Sequence, residues 1–272
     1  MPLFKKLIIK EVKRETKDAV SILFNIPEEF KSHYTFIAGQ YVNLRLTLDS
    51  KEIRRAYSIC SSSESGELRI AVKAIKNGAF SQFANTKLKV GDMLEVGKPE
   101  GKFTLETQSH NQKNYTAFVA GSGITPAISI LKSVLKSEPQ SSFVLVYGNK
   151  SPEETIFHQE LHDLQLKYTG RLFVDYVYSQ TKADGALFGR IDKSVVNFVL
   201  NEKHKELEFD KFYLCGPEEM INSVSQVLRE KNVKDSAIKF ELFSSSTVEN
   251  LEASSHDGHT KITMTVDDEE SS

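Results

Sequence analysis

Cysteine is nearly absent from this chain. Its two thiols, Cys60 and Cys215, lie far apart, and two thiols cannot supply the four ligands of a thiolate-held iron–sulfur cluster. With no export signal in view they are expected to stay reduced. A dominant charge is missing too. The 35 Lys and Arg against 37 Asp and Glu leave a net charge of -2, which gives no basic patch for a nucleic-acid partner. No apolar run approaches the ~20 residues that cross a bilayer. Met1-Pro2-Leu3-Phe4-Lys5-Lys6 leads straight into strand-like alternation, without the apolar core and small-residue cleavage site of a signal peptide. The expectation is a cytoplasmic protein without nucleic-acid or membrane partners. Internal repeats are absent. What is present is 39% apolar and 26% charged residues, a globular composition over a length that suits two domains.

The first hundred residues read as strands: Leu7–Lys13, Ala19–Ile26, Tyr41–Thr47, Arg54–Ile59, Glu67–Ile75 and Met93–Lys98, with a short helix at Phe80–Asn85. Alternation such as Leu68-Arg69-Ile70-Ala71-Val72-Lys73 and frequent turns predict an antiparallel six-stranded β-barrel. A polar stretch at Asn111–Asn114 marks a change of rhythm. Strands Tyr115–Ala120, Phe143–Tyr147, Leu172–Tyr178, Phe212–Cys215 and Ile238–Leu242 then alternate with helices at Pro126–Lys136, Pro152–Leu166, Lys193–Leu200 and Glu218–Glu230. Continuous apolar strands between helices predict a doubly wound α/β domain with a parallel five-stranded sheet. The expected domains are 1–110, 111–243 and a remnant at 244–272. In the last, polar Ser244–His259 reads as a linker, and Ile262-Thr263-Met264-Thr265-Val266 reads as the first strand of a truncated third domain.

Four segments carry chemistry. Arg55-Ala56-Tyr57-Ser58 ends a barrel strand. Its arginine can grip a pyrophosphate, and Tyr57, on the same face, can stack on a flat ligand; a surface arginine and a half-buried strand tyrosine would look the same. Val72-Lys73 and then Gly78-Ala79-Phe80-Ser81 turn from a strand into a helix start, which suits phosphate or is simply a capped turn. Gly121-Ser122-Gly123-Ile124-Thr125-Pro126 joins an apolar strand to a helix. Its glycines admit a phosphate closely; a tight strand-to-helix turn, which such a fold also needs, would read the same. Cys215-Gly216-Pro217-Glu218-Glu219-Met220 sits at the carboxyl end of a later strand, where open parallel sheets bind ligands; a buried cysteine used as a small hydrophobe also fits. His158 and His162 share a helix face without a third ligand, so no metal site is expected.

Together, and in this order, these motifs resemble the ferredoxin–NADP reductase superfamily over about residues 1–243. The resemblance implies FAD on the barrel. Arg55 would meet its pyrophosphate, with Ala56 in the same motif, Tyr57 would stack on the isoalloxazine, and Ser58 would hydrogen-bond near N5. Val72, Lys73, Gly78, Phe80 and Ser81 would hold the rest. Pro99-Glu100-Gly101-Lys102-Phe103 is similar to the family's barrel-closing turn. Gly121, Gly123, Ile124, Thr125 and Pro126, with Cys215, Gly216, Pro217 and Met220, match the two nicotinamide-nucleotide motifs, and Glu241-Leu242-Phe243 resembles the terminal segment packed near the flavin. Ser58, Thr125, Cys215 and Glu241 are the expected catalytic contacts. For a 2′-phosphate, Ser179, Lys182, Arg190 and Lys150 are available, so NADP is expected; NAD stays open because Gln180 stands where NADPH-selective members often have arginine.

Within the superfamily the chain looks most like the reductases of phenylacetyl-CoA epoxidases and related multicomponent oxygenases. That implies an NAD(P)H-dependent FAD reductase passing electrons singly to an iron–sulfur centre and on to an oxygenase component, in phenylacetate degradation. The [2Fe–2S] cluster would sit in a C-terminal ferredoxin domain missing here. A reductase of another electron-transfer system, or a non-catalytic nucleotide-binding module, are the alternatives.

Overall fold

Alternating side chains build the N-terminal sheet. In β1 (Lys5–Thr16), Leu7 and Ile9 are fully buried while Lys6, Ile8 and Lys10 face outward. With β2 (Ala19–Asn25), β3 (Tyr41–Leu48), β4 (Lys51–Ser58), β5 (Leu68–Lys73) and β6 (Met93–Val96) it forms an antiparallel sheet of order β4-β3-β6-β1-β2-β5. The two edges then meet. Beyond β4, Ile59 pairs with Ile70 of β5, and the Cys60 amide donates to the Arg69 carbonyl at 2.8 Å. This closure makes the sheet the expected barrel. A 3-10 helix at Glu28–Tyr34, absent from the sequence reading, packs Tyr34 into the core, its hydroxyl donating to Val96 O at 2.8 Å. Helix α1 (Ala79–Thr86) follows β5. The computed structural model describes residues 4–48 and 50–243; the expected linker Ser244–His259 and strand Ile262–Val266 lie outside the described residues.

The second sheet is parallel throughout. It comprises β7 (Asn114–Ala120), β8 (Ser142–Asn149), β9 (Leu172–Tyr178), β10 (Leu187–Phe188), β11 (Lys211–Gly216) and β12 (Ile238–Leu242), in the order β10-β9-β8-β7-β11-β12. Helices α2 (Ile124–Ser137) and α3 (His158–Lys167) pack on one face, and α4 (Lys193–Phe198) and α5 (Glu218–Glu230) on the other. Phe143 to Tyr147 in β8 are all fully buried, as strands covered on both faces must be. The sheet has six strands, not the expected five. The extra strand, β10, is two residues long, with Leu187 half-buried and Phe188 exposed, so no apolar run announces it. Helix α3 begins at His158 rather than Pro152, because a 3-10 turn at Pro152–Glu154 and a left-handed Phe157 precede it. Helix α4 passes into a π-turn at Val199–Lys203. That turn puts Lys203 Nζ and His204 Nε2 on the buried Asp175 carboxylate, at 2.7 and 2.9 Å. Burial opposes the Asp175 charge, but these two bonds outweigh it and hold the carboxyl below its usual range.

The chain runs outward from β7 to β10 and then returns to the other side of β7. Strand order therefore reverses between β7 and β11, the place where open α/β sheets bind ligands. The apolar interior also joins the two halves. One cluster draws Ala38, Cys60, Phe103 and Leu105 from the barrel side, Tyr115 and Cys215 from the parallel sheet, and Ile130 from α2. Fully buried Glu138, at the end of α2, fastens the connecting segment. Its carboxylate accepts from Gln108 N, Asn111 Nδ2, Tyr115 Oη and Ser141 Oγ, all within 3.0 Å, so every bond a buried carboxylate demands is made. Among the described residues no helix is long and apolar enough to cross a membrane.

Candidate functional site

The end of β4 and the start of α1 share one rim of the barrel. Barrel closure at Ile59 and Ile70 brings them together, and the Tyr57 and Phe80 ring centroids lie 5.3 Å apart. Phe80 is buried, so Tyr57 leans on a fixed ring; burial raises its phenol pKa, against the opposing pull of Arg55. Ala56 and Arg55 are exposed, and Arg55 Nη1 donates to the Arg54 carbonyl at 2.7 Å. Ser58 is buried, paired in register with Tyr41. Gly78 precedes α1 without a side-chain cap, so the first amides of the helix keep their donors free. A Cβ at Gly78 would fall 2.3 Å from Ser81 Oγ, so a larger residue at that turn would have to displace the Ser81 and Ile75 side chains.

Two residues of this group are turned inward. The Ser81 hydroxyl accepts from Ile75 N and donates to Gly78 O, each at 3.2 Å, and so braces the loop. The Val72 side chain lies in the barrel core, and its carbonyl is taken by Asn85 Nδ2 at 3.1 Å. Half-buried Lys73 ends β5 beside them.

At the switch point the two glycine motifs touch. Gly121 leaves β7 with φ +54, a left-handed conformation that glycine adopts at no steric cost. Its carbonyl accepts from Tyr147 Oη at 3.0 Å. A Cβ on Gly123 would stand 2.3 Å from the Cys215 carbonyl oxygen, so only glycine permits this approach. Ile124, Thr125 and Pro126 open α2 and are buried, with Thr125 Oγ1 donating to Ser122 O at 3.0 Å. Gly216 and Pro217 turn β11 into α5, and Met220 folds back toward Gly216.

Cys215 lies in register with Glu241 of β12. Burial pushes Glu241 up to about 7, and its Oε2 is buried without a hydrogen-bond partner among the described residues. Burial raises the Cys215 thiol, and Glu241 adds to that shift. Glu241 also acts on the barrel: the Tyr41 phenol is raised by burial, then by Glu100 and Glu241. Since Tyr41 pairs with Ser58, Glu241 links the parallel-sheet site to the barrel rim. Phe243 follows β12, 39% exposed.

Ser179, Lys182 and Arg190 lie away from this centre, beyond the ends of β9 and β10. Ser179 Oγ donates to Asn149 O at 3.4 Å, Lys182 lies over the Phe188 ring at 5.6 Å, and Lys150 faces Glu154 at 3.7 Å. Arg190 is exposed, with no carboxylate within 4.0 Å among the described residues.

These features fit two dinucleotides. An uncapped helix start near a guanidinium that has no carboxylate partner among the described residues suits a pyrophosphate, and a cradle closed to any Cβ at Gly123 suits a ligand held against backbone. The Glu241 oxygen marks polar capacity that the other described residues do not use. The sequence reading missed Tyr41, which bridges to Glu100. It also missed the polar stripe Ser129, Lys132, Ser133 and Lys136 on α2, whose spacing in an otherwise apolar helix was the available signal.

Residues 6–105 match the oxidoreductase FAD-binding domain and residues 118–226 the oxidoreductase NAD-binding domain. The chain is 38% identical over 252 residues to a subunit of the 1,2-phenylacetyl-CoA epoxidase of Escherichia coli, covering 89% of this chain and 68% of that protein. It is 31% identical to the ferredoxin reductase component of 3-ketosteroid-9-alpha-monooxygenase from Rhodococcus rhodochrous, over 88% of this chain and 65% of that one. The fold matches a ferredoxin NADP+ reductase from Neisseria gonorrhoeae, solved with FAD and NADP bound, at TM-score 0.72 and 23% identity, over 88% of this chain and 98% of that one. Barrel, switch point and relatives agree, and the chain belongs to the ferredoxin–NADP reductase-like family of FAD-binding, NAD(P)H-dependent oxidoreductases.

Proposed function

We propose that this chain is the reductase of a multicomponent oxygenase, taking a hydride from NADPH and sending electrons singly to an iron–sulfur centre, with phenylacetate degradation as its setting. The observation that carries the hydride site is the contact of Gly123 with the Cys215 carbonyl, beside the Cys215–Glu241 pair. The relative named as part of an epoxidase and the one named as a monooxygenase reductase component support the oxygenase setting. Bound FAD supplies the exchange between a two-electron donor and one-electron acceptors.

The protein's part is to hold and align. Arg55 and the free amides of α1 neutralise the FAD pyrophosphate, with Ala56 and Lys73 along the same rim. Tyr57, braced by Phe80, would stack beside the flavin ring, and Ser58 would offer its hydroxyl to the ring edge. Gly121, Gly123, Ile124 and Pro126 let the nicotinamide nucleotide approach the backbone, while Gly216, Pro217 and Met220 shape the opposite wall. Thr125, Cys215 and Glu241 surround the nicotinamide, and Phe243 closes the site. Ser179, Lys182 and Arg190 receive the 2′-phosphate. The one-electron acceptor is a [2Fe–2S] ferredoxin, which then serves the oxygenase component.

The test compares ferricyanide reduction with oxygenase-coupled turnover, with and without an added [2Fe–2S] ferredoxin. The flavin, released by heat, should chromatograph as FAD, and NADPH should bleach the yellow protein. The protein should reduce ferricyanide without the ferredoxin and need it for coupled turnover. Recovery of FMN alone, or coupled turnover that the ferredoxin does not raise, contradicts the reading.

A further inference from the structure

Helix α2 touches both halves of the site. Its first turn holds Thr125, and its polar stripe binds the stretch of chain that directly follows Ser58. Ser129 Oγ donates to Ser61 O at 2.7 Å and accepts from Gly39 N at 3.4 Å. Lys132 Nζ donates to Cys60 O at 2.9 Å. Ser133 Oγ accepts from Ser63 N at 3.0 Å, and Lys136 Nζ donates to Glu64 O at 3.0 Å. Residues 129, 132, 133 and 136 share one helix face. They meet a single segment, Cys60–Glu64, and Gly39 beside it.

Lys132 is the charged centre of this seam. Its side chain is 16% exposed, and Glu160 of α3 neutralises it. Nearby, Cys60 is fully buried, so the Cys60 carbonyl belongs to packed backbone rather than to a loose loop. The lever arms are short. Thr125 lies seven residues from Lys132, about 10.5 Å along a helix, and Ser58 lies two residues from Cys60, about 7 Å along a strand. A tilt of α2 therefore moves the nicotinamide turn directly against the flavin strand.

We propose that Lys132 is a positioning residue for hydride transfer, fixing the spacing between the Thr125 turn and the Ser58 strand. The inference rests on the reductase reading above. Lys132 Nζ is engaged by the Cys60 carbonyl and Glu160, outside the Arg55–Ser58, Gly78–Ser81 and Gly121–Pro126 motifs, so it acts on alignment and not on affinity. A misplacement of about 1 Å can cost a rate about 100-fold.

The test measures the rate of flavin reduction at saturating NADPH, FAD and NADPH dissociation constants, and amide exchange at Gly39 and Ser63 in the FAD-loaded protein. Lys132→Met should lower the limiting reduction rate at least about tenfold, with both dissociation constants within about twofold, and should speed exchange at those two amides. Lys132→Arg, which keeps a donor for the Cys60 carbonyl, should restore rate and protection together. Ser129→Ala, the second variant, should lower the rate in the same sense and decides the matter if Lys132→Met does not fold. An unchanged rate in folded Lys132→Met, a rate loss matched by loss of FAD affinity, or failure of Lys132→Arg to rescue overturns the proposal. A wild-type chain that binds no flavin, or whose flavin NADPH does not reduce, overturns the reductase reading instead.

Discussion

Cys215 and Glu241 stand in register across β11 and β12, a buried thiol beside a carboxyl whose Oε2 has no hydrogen-bond partner among the described residues. Burial lifts the Glu241 carboxyl up to about 7. A carboxyl with a raised folded-state pKa favours the folded state while neutral and loses that contribution as pH climbs from the unfolded value through about 7. Relative to Glu241→Gln, the wild-type protein should lose at most about 3 kcal/mol of stability between pH 4.5 and 8. Denaturant unfolding of the flavin-free protein at both values checks this. A constant difference between the two proteins would show that Glu241 does not titrate in this window.

Tyr57 is held by Phe80 at 5.3 Å, so its ring is ready to stack before any ligand arrives. Tyr57→Ala should weaken FAD binding by about 1–3 kcal/mol, the scale of aromatic stacking on a planar base. Tyr57→Phe should retain most of the affinity. Fluorescence titration of the apoprotein reads both, and unchanged FAD affinity in the alanine variant would remove Tyr57 from the stacking role.

Gly123 has no room for a side chain, since an added Cβ would lie 2.3 Å from the Cys215 carbonyl oxygen. That atom is backbone and cannot swing away. Gly123→Ala should cost about 1–3 kcal/mol of stability, the range of overpacking, and should weaken nicotinamide-nucleotide binding more than FAD binding. Thermal unfolding and separate titrations distinguish the effects. A variant that binds the nucleotide as the wild type does would place it elsewhere.

Arg190 is the strongest candidate for the 2′-phosphate, because Lys182 lies against Phe188 and Lys150 faces Glu154. Loss of a charge-assisted bond of about 1.5–3 kcal/mol should lower kcat/KM for NADPH about tenfold or more in Arg190→Ala. The value for NADH should change little. Equal losses with both nucleotides would assign Arg190 a general role.

Periodicity carried much of this architecture. The alternation of Leu68–Lys73 and the solid apolar run Phe143–Tyr147 each stated strand type and burial without help from neighbours. What stayed hidden depended on contacts distant in sequence. Strand β10 is too short to have a period, and the π-turn before His204 follows from the needs of Asp175, 29 residues away. In the site, the glycine turns were visible as local strings. The inward use of Ser81 and the position of Tyr41 beside Glu241 were not, because both follow from barrel closure and from the meeting of the two sheets.

The apolar cluster shared by Phe103, Leu105, Tyr115 and Ile130 has a consequence for how this protein can be cut or recombined. A break near residue 110 would expose parts of that cluster on both fragments and part Gln108 N from the Glu138 carboxylate, so neither fragment would carry a complete interior. Barrel and parallel sheet should therefore melt in a single transition and be inherited as one piece, and a fused partner can be exchanged only outside the stretch from Lys5 to Leu242.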